Sequence, residues 1–189
     1  MKEYRFFISS TFKDMQQERD AIRDVVLPEI DLLASKYGIV VSIVDLRWGI
    51  STEDCESNDD VSLKIFRSCF DEIDESKPFF IGLLGNRYGW VPDLNKNKLD
   101  LISSDNKYSK YSGLSITEAE IMYALESFGE NGVFIFGCRK EINGKLSEED
   151  KKVFESIDKA DKERINSLKK KIKSDKRVEY FDYYFLDYF

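Results

Sequence analysis

Four short blocks of this chain gather residues able to do chemistry: Ser9-Ser10-Thr11, Asp45-Leu46-Arg47-Trp48-Gly49, Gly85-Asn86-Arg87-Tyr88-Gly89-Trp90 and Ser115-Ile116-Thr117-Glu118-Ala119-Glu120. The hydroxyls of Ser9, Ser10 and Thr11 can be directed at a phosphate beside a helix start, or can cap that helix. Arg47 and Arg87 have the fork geometry for a pyrophosphate or ribose, or for pairing with the many nearby acids. Trp48, Tyr88 and Trp90 offer faces for stacking on a base, or bulk for a core. Glu118 and Glu120 are the carboxylates of the last block. With Ser115 as helix cap, Glu118 closes a capping box and Glu120 stands at the edge of the buried stripe, one residue before Ile121 and four before Ala124. With Thr117 as cap, Glu120 takes the structural task instead.

What the chain lacks narrows the chemistry further. It has no histidine, so Ser-His-Asp and Cys-His catalytic sets, histidine-bearing zinc sites and an imidazole base are all excluded. Its three cysteines, Cys55, Cys69 and Cys138, are too widely spaced for a Cys-x-x-Cys metal or redox motif and read as reduced thiols. No resident metal or cofactor is expected. No glycine pattern matches a Walker loop or a dinucleotide fingerprint. A net charge of −7 opposes attraction to nucleic acid or anionic lipid. The local exception, Lys169-Lys170-Lys171-Ile172-Lys173, reads as a binding patch or as the favourable last turns of a solvated helix. The N-terminal apolar run is too short for a signal peptide, and none approaches the roughly 20 residues of a membrane span, which gives a cytoplasmic expectation.

The elements that must position these blocks follow from periodicity. The 189 residues, 42% of them hydrophobic, suit one domain over residues 1–189. Tyr4–Ser10, Ile39–Val44, Phe79–Leu84 and Gly132–Gly137 read as strands, with a fifth near Val178–Tyr184. Helices are expected from Asp14 to Tyr37, burying Met15, Ile22, Val25, Val26, Ile30 and Leu33 and kinked at Pro28; from Val61 to Glu75; from Ser115 to Phe128; and as one long helix opening at Ser147 that carries Phe154, Ile157, Ile165, Leu168 and Ile172 inward. Residues 85–113 read as an inserted loop rich in turn residues, with mobility expected over Asn95–Ser112. Strand–helix alternation predicts a doubly wound, mainly parallel five-stranded α/β sheet with Phe79–Leu84 inside it. In such sheets ligands bind beyond the carboxyl ends of the strands, where all four blocks fall. The aromatic end, Tyr180 to Phe189, reads as a packed last strand, a docking segment or a domain boundary.

Together the blocks, with Phe7-Ile8-Ser9-Ser10-Thr11-Phe12-Lys13-Asp14-Met15, Glu18-Arg19-Asp20 and Phe80-Ile81-Gly82-Leu83-Leu84-Gly85, resemble the TIR-like domain at the N-terminus of nephrocystin-3, telomerase-associated protein 1 and bacterial STAND-type NTPases. The resemblance implies a flavodoxin-like fold, a parent protein with C-terminal NTPase and sensor modules, self-association through the domain, and a role in antiviral defence. Glu120-Ile121-Met122-Tyr123-Ala124-Leu125 is also similar to the segment carrying the catalytic glutamate of NAD-cleaving TIR domains. By that likeness Glu120 is the catalytic residue and NAD the substrate. Ser9, Ser10, Thr11, Arg47, Trp48, Arg87, Tyr88 and Trp90 are then the candidate substrate contacts. Those enzymes carry tryptophan four residues before the glutamate; here Ile116 stands there and Trp90 is the candidate replacement. A non-catalytic interaction module, and an N-glycosidase acting on another nucleotide, are the alternatives.

Overall fold

The computed structural model describes residues 2–46, 58–94, 99, 108–140 and 147–184. Five strands, β1 (Lys2–Ser10), β2 (Ile39–Val44), β3 (Phe79–Leu84), β4 (Val133–Arg139) and β5 (Val178–Tyr183), form one sheet in the order β2-β1-β3-β4-β5. Every pairing is parallel, which makes the sheet wholly rather than mainly parallel and sets β3 at its centre. The apolar composition of Phe79-Phe80-Ile81-Gly82-Leu83-Leu84 on both faces is what a central parallel strand needs.

One face of the sheet is fully clad. Helices α3 (Asn58–Glu75), α4 (Ile116–Phe128) and α6 (Lys159–Ser174) cover it. Phe66, Phe70 and Ile73 of α3, Ile121, Ala124 and Phe128 of α4, and Ile165, Leu168 and Ile172 of α6 close on Phe7, Phe80, Phe134 and Phe136 of the strands. The expected stripe of α4 is buried throughout. The stretch expected as an inserted loop joins this core: Leu94, Leu99, Tyr108 and Tyr111 are buried, with Phe70 stacked on Tyr108 at 4.7 Å and 4.4 Å from Tyr123. Residues 95–98 and 100–107, most of the stretch expected to be mobile, lie outside the described residues.

The opposite face carries the larger departure from the sequence reading. The helix expected over Asp14–Tyr37 is α1 (Gln16–Ala21), a π-helical turn (Ile22–Val26) and α2 (Leu27–Ser35), with Pro28 in the first turn of α2. Met15 and Arg19 are buried and Ile22 packs beside the small cluster of Ile8, Met15 and Leu83. The π turn then inserts one extra residue into the helical repeat, so the partly buried positions of α2 become Leu27, Asp31 and Ala34. Val25, Val26, Ile30 and Leu33, expected inside, are exposed. Asp31 accepts a 3.1 Å bond from the Val41 N–H of edge strand β2, a polar tie in place of the expected apolar one.

The long helix expected from Ser147 is also two helices, α5 (Glu148–Phe154) and α6, parted at Glu155–Asp158. Ser147 and Asp158 each cap one of them through the side chain, and Ile157, expected inside, is exposed in the break. The break lets Glu155 bridge to Asn86 beyond the end of β3, with the Ser156 N–H donating to the Asn86 carbonyl at 3.0 Å.

Candidate functional site

The carboxyl ends of β1 and β3 and the first turns of α4 meet at one edge of the sheet. Ser115 caps α4, its hydroxyl accepting from the Glu118 N–H at 3.2 Å, which settles the two helix registers in favour of Ser115. The carboxylate of Glu118 then bonds the Tyr88 hydroxyl, and that hydroxyl accepts from the Ser115 N–H at 3.3 Å. The capping box is thus closed through a phenol rather than directly. Tyr88 is 1% exposed and lies under Arg164 at 5.3 Å, which makes it a buried strut and not a stacking platform.

Two residues beyond Glu118, Glu120 points into the interior and is 7% exposed. The Ser9 hydroxyl donates to its Oε2 at 2.5 Å. Burial pushes the Glu120 carboxyl above its ordinary value, against the opposing pull of hydrogen bonds from Ser9 and the Cys69 thiol and of the Arg19 charge. The same burial, with Glu120 beside it, holds the Cys69 thiol well above the usual range and therefore unreactive. Between α3 and α4, Phe66, Cys69, Phe70, Ile116, Ala119 and Glu120 line a closed crevice with no room for a water molecule. Ordinary small-molecule sites enclose ~300–1,000 Å³. A nucleotide can reach Glu120 only if these two helices part.

The neighbouring hydroxyls are already committed. Ser10 donates to the Thr11 carbonyl at 3.0 Å and accepts from Arg19 Nε at 2.6 Å. Thr11 donates to Asp14 at 2.5 Å. Neither hydroxyl caps α1, whose N-cap position is Met15 with no side-chain bond. Arg19, buried among these groups, also bonds the Ser10 carbonyl at 3.1 Å and Asp45 at 2.5 Å. A second buried cation, Arg139 at the end of β4, bonds the Asp14 carbonyl and Glu18 at 2.7 Å each and Asp14 Oδ2 at 3.2 Å. Burial raises the Asp14 carboxyl to about 6 despite the Thr11 bond and the Arg139 charge. Gly85 is the residue that admits this pair: a Cβ there would stand 2.3 Å from Asp14 Oδ2 and 2.6 Å from Met15 Cε.

The remaining candidates separate. Arg87 Nη1 donates to the carbonyls of Lys152 at 2.5 Å and Val153 at 3.2 Å, closing the end of α5. Trp90 is 52% exposed, and its carbonyl accepts from the Ile116 N–H at 3.0 Å, which ties its backbone to a residue of the crevice wall. Gly89 just before it takes the left-handed conformation (φ +96°) that this turn requires. Arg47 and Trp48 lie outside the described residues, as does Cys55. The structure therefore joins Ser9 to Glu120, sets Trp90 beside their crevice, and gives Ser10, Thr11, Arg87 and Tyr88 internal partners. Sequence reading does not single out Arg19, Asp14 and Arg139 as site residues. The available signal for Arg19 is its place on the inward stripe Met15–Arg19–Ile22, where a cation demands buried partners.

Among the described residues no group of acids and thiols could hold a metal ion, and no helix is long and apolar enough to cross a membrane.

A wholly parallel β2-β1-β3-β4-β5 sheet whose polar groups collect at the carboxyl ends of its strands defines a flavodoxin-like α/β domain. The chain belongs to the family described as "Domain of unknown function (DUF4062)", whose pattern matches residues 5–184. It is 36% identical over 183 residues to a TPR repeat-containing protein of Dictyostelium discoideum, covering 90% of this chain and 11% of that protein. Over 127 residues it is 37% identical to telomerase protein component 1 of Rattus norvegicus, covering 66% of this chain and 4% of that one. Over 91 residues it is 32% identical to NACHT and WD repeat domain-containing protein 2 of Mus musculus, covering 47% and 5%. The telomerase protein is of the company that the TIR-like resemblance named, the NACHT protein is consistent with its STAND-type context, and the chain spans 11% or less of the length of each relative. No solved structure matches it.

Proposed function

We propose that this domain cleaves the N-glycosidic bond of NAD, with Glu120 as the catalytic carboxylate, when self-assembly opens its crevice inside a STAND-type defence protein. The observation that carries the reading is the position of Glu120: a buried carboxylate on the first turns of α4, bonded by Ser9 and lining the closed crevice at the carboxyl end of the strands, where such sheets bind their ligands. In NAD the bond from ribose C1′ to the pyridinium nitrogen breaks with both electrons going to nitrogen, so nicotinamide leaves neutral and needs no general acid. The ribose gains oxocarbenium character, and a fixed carboxylate stabilises that charge. Water then adds at C1′ and loses a proton, giving ADP-ribose. A site without histidine is sufficient for this sequence of events. Trp90, tied to the crevice wall and half exposed, would stack on the base.

The narrow crevice favours a second reading, a domain that binds another protein and turns over nothing. Incubating the clustered protein with NAD and following nicotinamide release by chromatography separates the two. Release that vanishes in Glu120→Gln supports the enzyme; no release from the clustered wild type supports the interaction module.

A further inference from the structure

The π turn leaves α2 with an apolar stripe that nothing among the described residues covers. Val26, Ile30, Leu33 and Tyr37 follow one another at steps of four, three and four residues, the spacing of a heptad seam, and they are 42% to 81% exposed. Val25 and Leu32 are exposed too but lie beyond Glu29 and Lys36 on the outer side of the helix, so the seam itself bares on the order of 400 Å², within the range of the largest apolar patch on a monomer. Leu27, Asp31 and Ala34, about 100° round the helix from the seam, are its partly buried positions, so the helix faces the sheet with that side and leaves the seam outside. One flank of the seam is charged: Glu29 immediately precedes Ile30 and Lys36 immediately precedes Tyr37, which puts the two charges at equivalent heptad positions.

We infer that this stripe is a self-association surface, occupied by α2 of a second copy of the chain running antiparallel across a twofold axis. That axis sets Ile30 against Leu33 of the second copy and Val26 against Tyr37. The same register brings Glu29 near Lys36 of the second copy, and by symmetry Lys36 near its Glu29, so the two charge pairs form without any further adjustment. In a parallel pair Glu29 would instead lie toward Ala34 of the second copy, and neither charge would meet its opposite. Charge complementarity therefore selects both the occupant and its direction. The area is about half of the ~800 Å² per partner of a standard interface, so the pair is a transient one, driven by concentration. This surface lies on helix α2, whereas Glu120 lies between the sheet and α3, and the inference stands whether or not the domain turns over NAD.

Sedimentation velocity of the 189-residue chain across a concentration range of about a hundredfold tests it. The expected result is an average mass that climbs toward twice the monomer as concentration rises. Ile30→Glu with Leu33→Glu should hold the chain monomeric at every concentration with its circular dichroism unchanged, since both side chains are exposed. Because that pair could perturb the helix, charge reversals give an independent reading: Glu29→Lys alone and Lys36→Glu alone should each weaken association several-fold, and the two together should restore it. A chain that stays monomeric throughout overturns the inference. So does association that survives the glutamate pair, or a double reversal that fails to restore it.

Discussion

The Ser9 hydroxyl and the Glu120 carboxylate, 111 residues apart in the chain, meet at 2.5 Å where the end of β1 faces the first turns of α4. A buried carboxylate held in this way can keep its orientation while a ligand is admitted, and the amide that replaces it would keep most of the geometry. Glu120→Gln should therefore fold normally, with a melting temperature equal to or above wild type because no charge is buried. NAD cleavage should fall by roughly a hundredfold or more, corresponding to about 3 kcal/mol of lost transition-state stabilisation. Glu118→Gln should keep turnover and lose about 1 kcal/mol of stability, since its carboxylate accepts from the Tyr88 hydroxyl that in turn receives the Ser115 N–H. Turnover and thermal unfolding of both variants check the assignment; loss of cleavage in Glu118→Gln alone would reverse it.

Ser9→Ala probes the same contact from the other side. The hydroxyl favours the charged form of Glu120, opposing the burial that raises its pKa. Without it the carboxyl protonates more readily, so the acid limb of kcat/KM should move to higher pH while the plateau at neutral pH changes less. A pH profile with an unmoved acid limb would detach Ser9 from the chemistry.

What the sequence made legible was set by periodicity and by strong local signals. The five strands, the centrality of Phe79–Leu84 and the stripe of α4 all follow from apolar spacing, whereas the α4 cap did not, because Ser115 and Thr117 each stand three residues before an acid and only the Ser115–Glu118 bond separates them. Glu120 was legible because it stands at the border of that stripe. The α1–α2 segment was not, because one extra residue in a π turn rotates every later side chain and leaves no composition signature. The duties of Arg87 and Tyr88 were equally hidden: their partners, Lys152, Val153, Ser156 and Glu118, are distant in sequence, and an arginine that binds a helix end is indistinguishable by type from one that binds a phosphate.

Asp14 gives the fold a pH dependence of unusual sign for a carboxylate paired with arginine. Thr11 and Arg139 bond it, Arg87 adds its charge, and Glu18 and Tyr183 complete the surrounding cluster, yet burial lifts it to about 6. The folded chain therefore binds this proton more tightly than the unfolded chain, whose Asp14 titrates near 3.8. The stabilising contribution is complete below about pH 4 and is lost as pH rises through 6, a change on the order of 3 kcal/mol. Urea unfolding at about pH 4, 5, 6 and 7 should show this fall, and Asp14→Asn should flatten it. Equal slopes in the two proteins would place the titration elsewhere.

Arg87 tests whether an arginine at the ligand-binding edge of a parallel sheet serves the ligand or the scaffold. Its guanidinium lies against the last carbonyls of α5, at 2.5 Å from Lys152 and 3.2 Å from Val153, groups that have no partner within the helix. Hydrogen bonds from a charged donor to such carbonyls are worth roughly 1.5–3 kcal/mol, and α5 is only seven residues long, held besides by its cap at Ser147 and by Phe154 packed under Arg139. Arg87→Ala should accordingly lower stability by about 1–2 kcal/mol and loosen the α5 region, seen as faster amide exchange over Glu148–Phe154. The KM for NAD should stay within about twofold of wild type, because the guanidinium is engaged before any ligand arrives. If KM instead rises roughly tenfold with exchange in α5 unchanged, Arg87 belongs to the substrate and not to the scaffold.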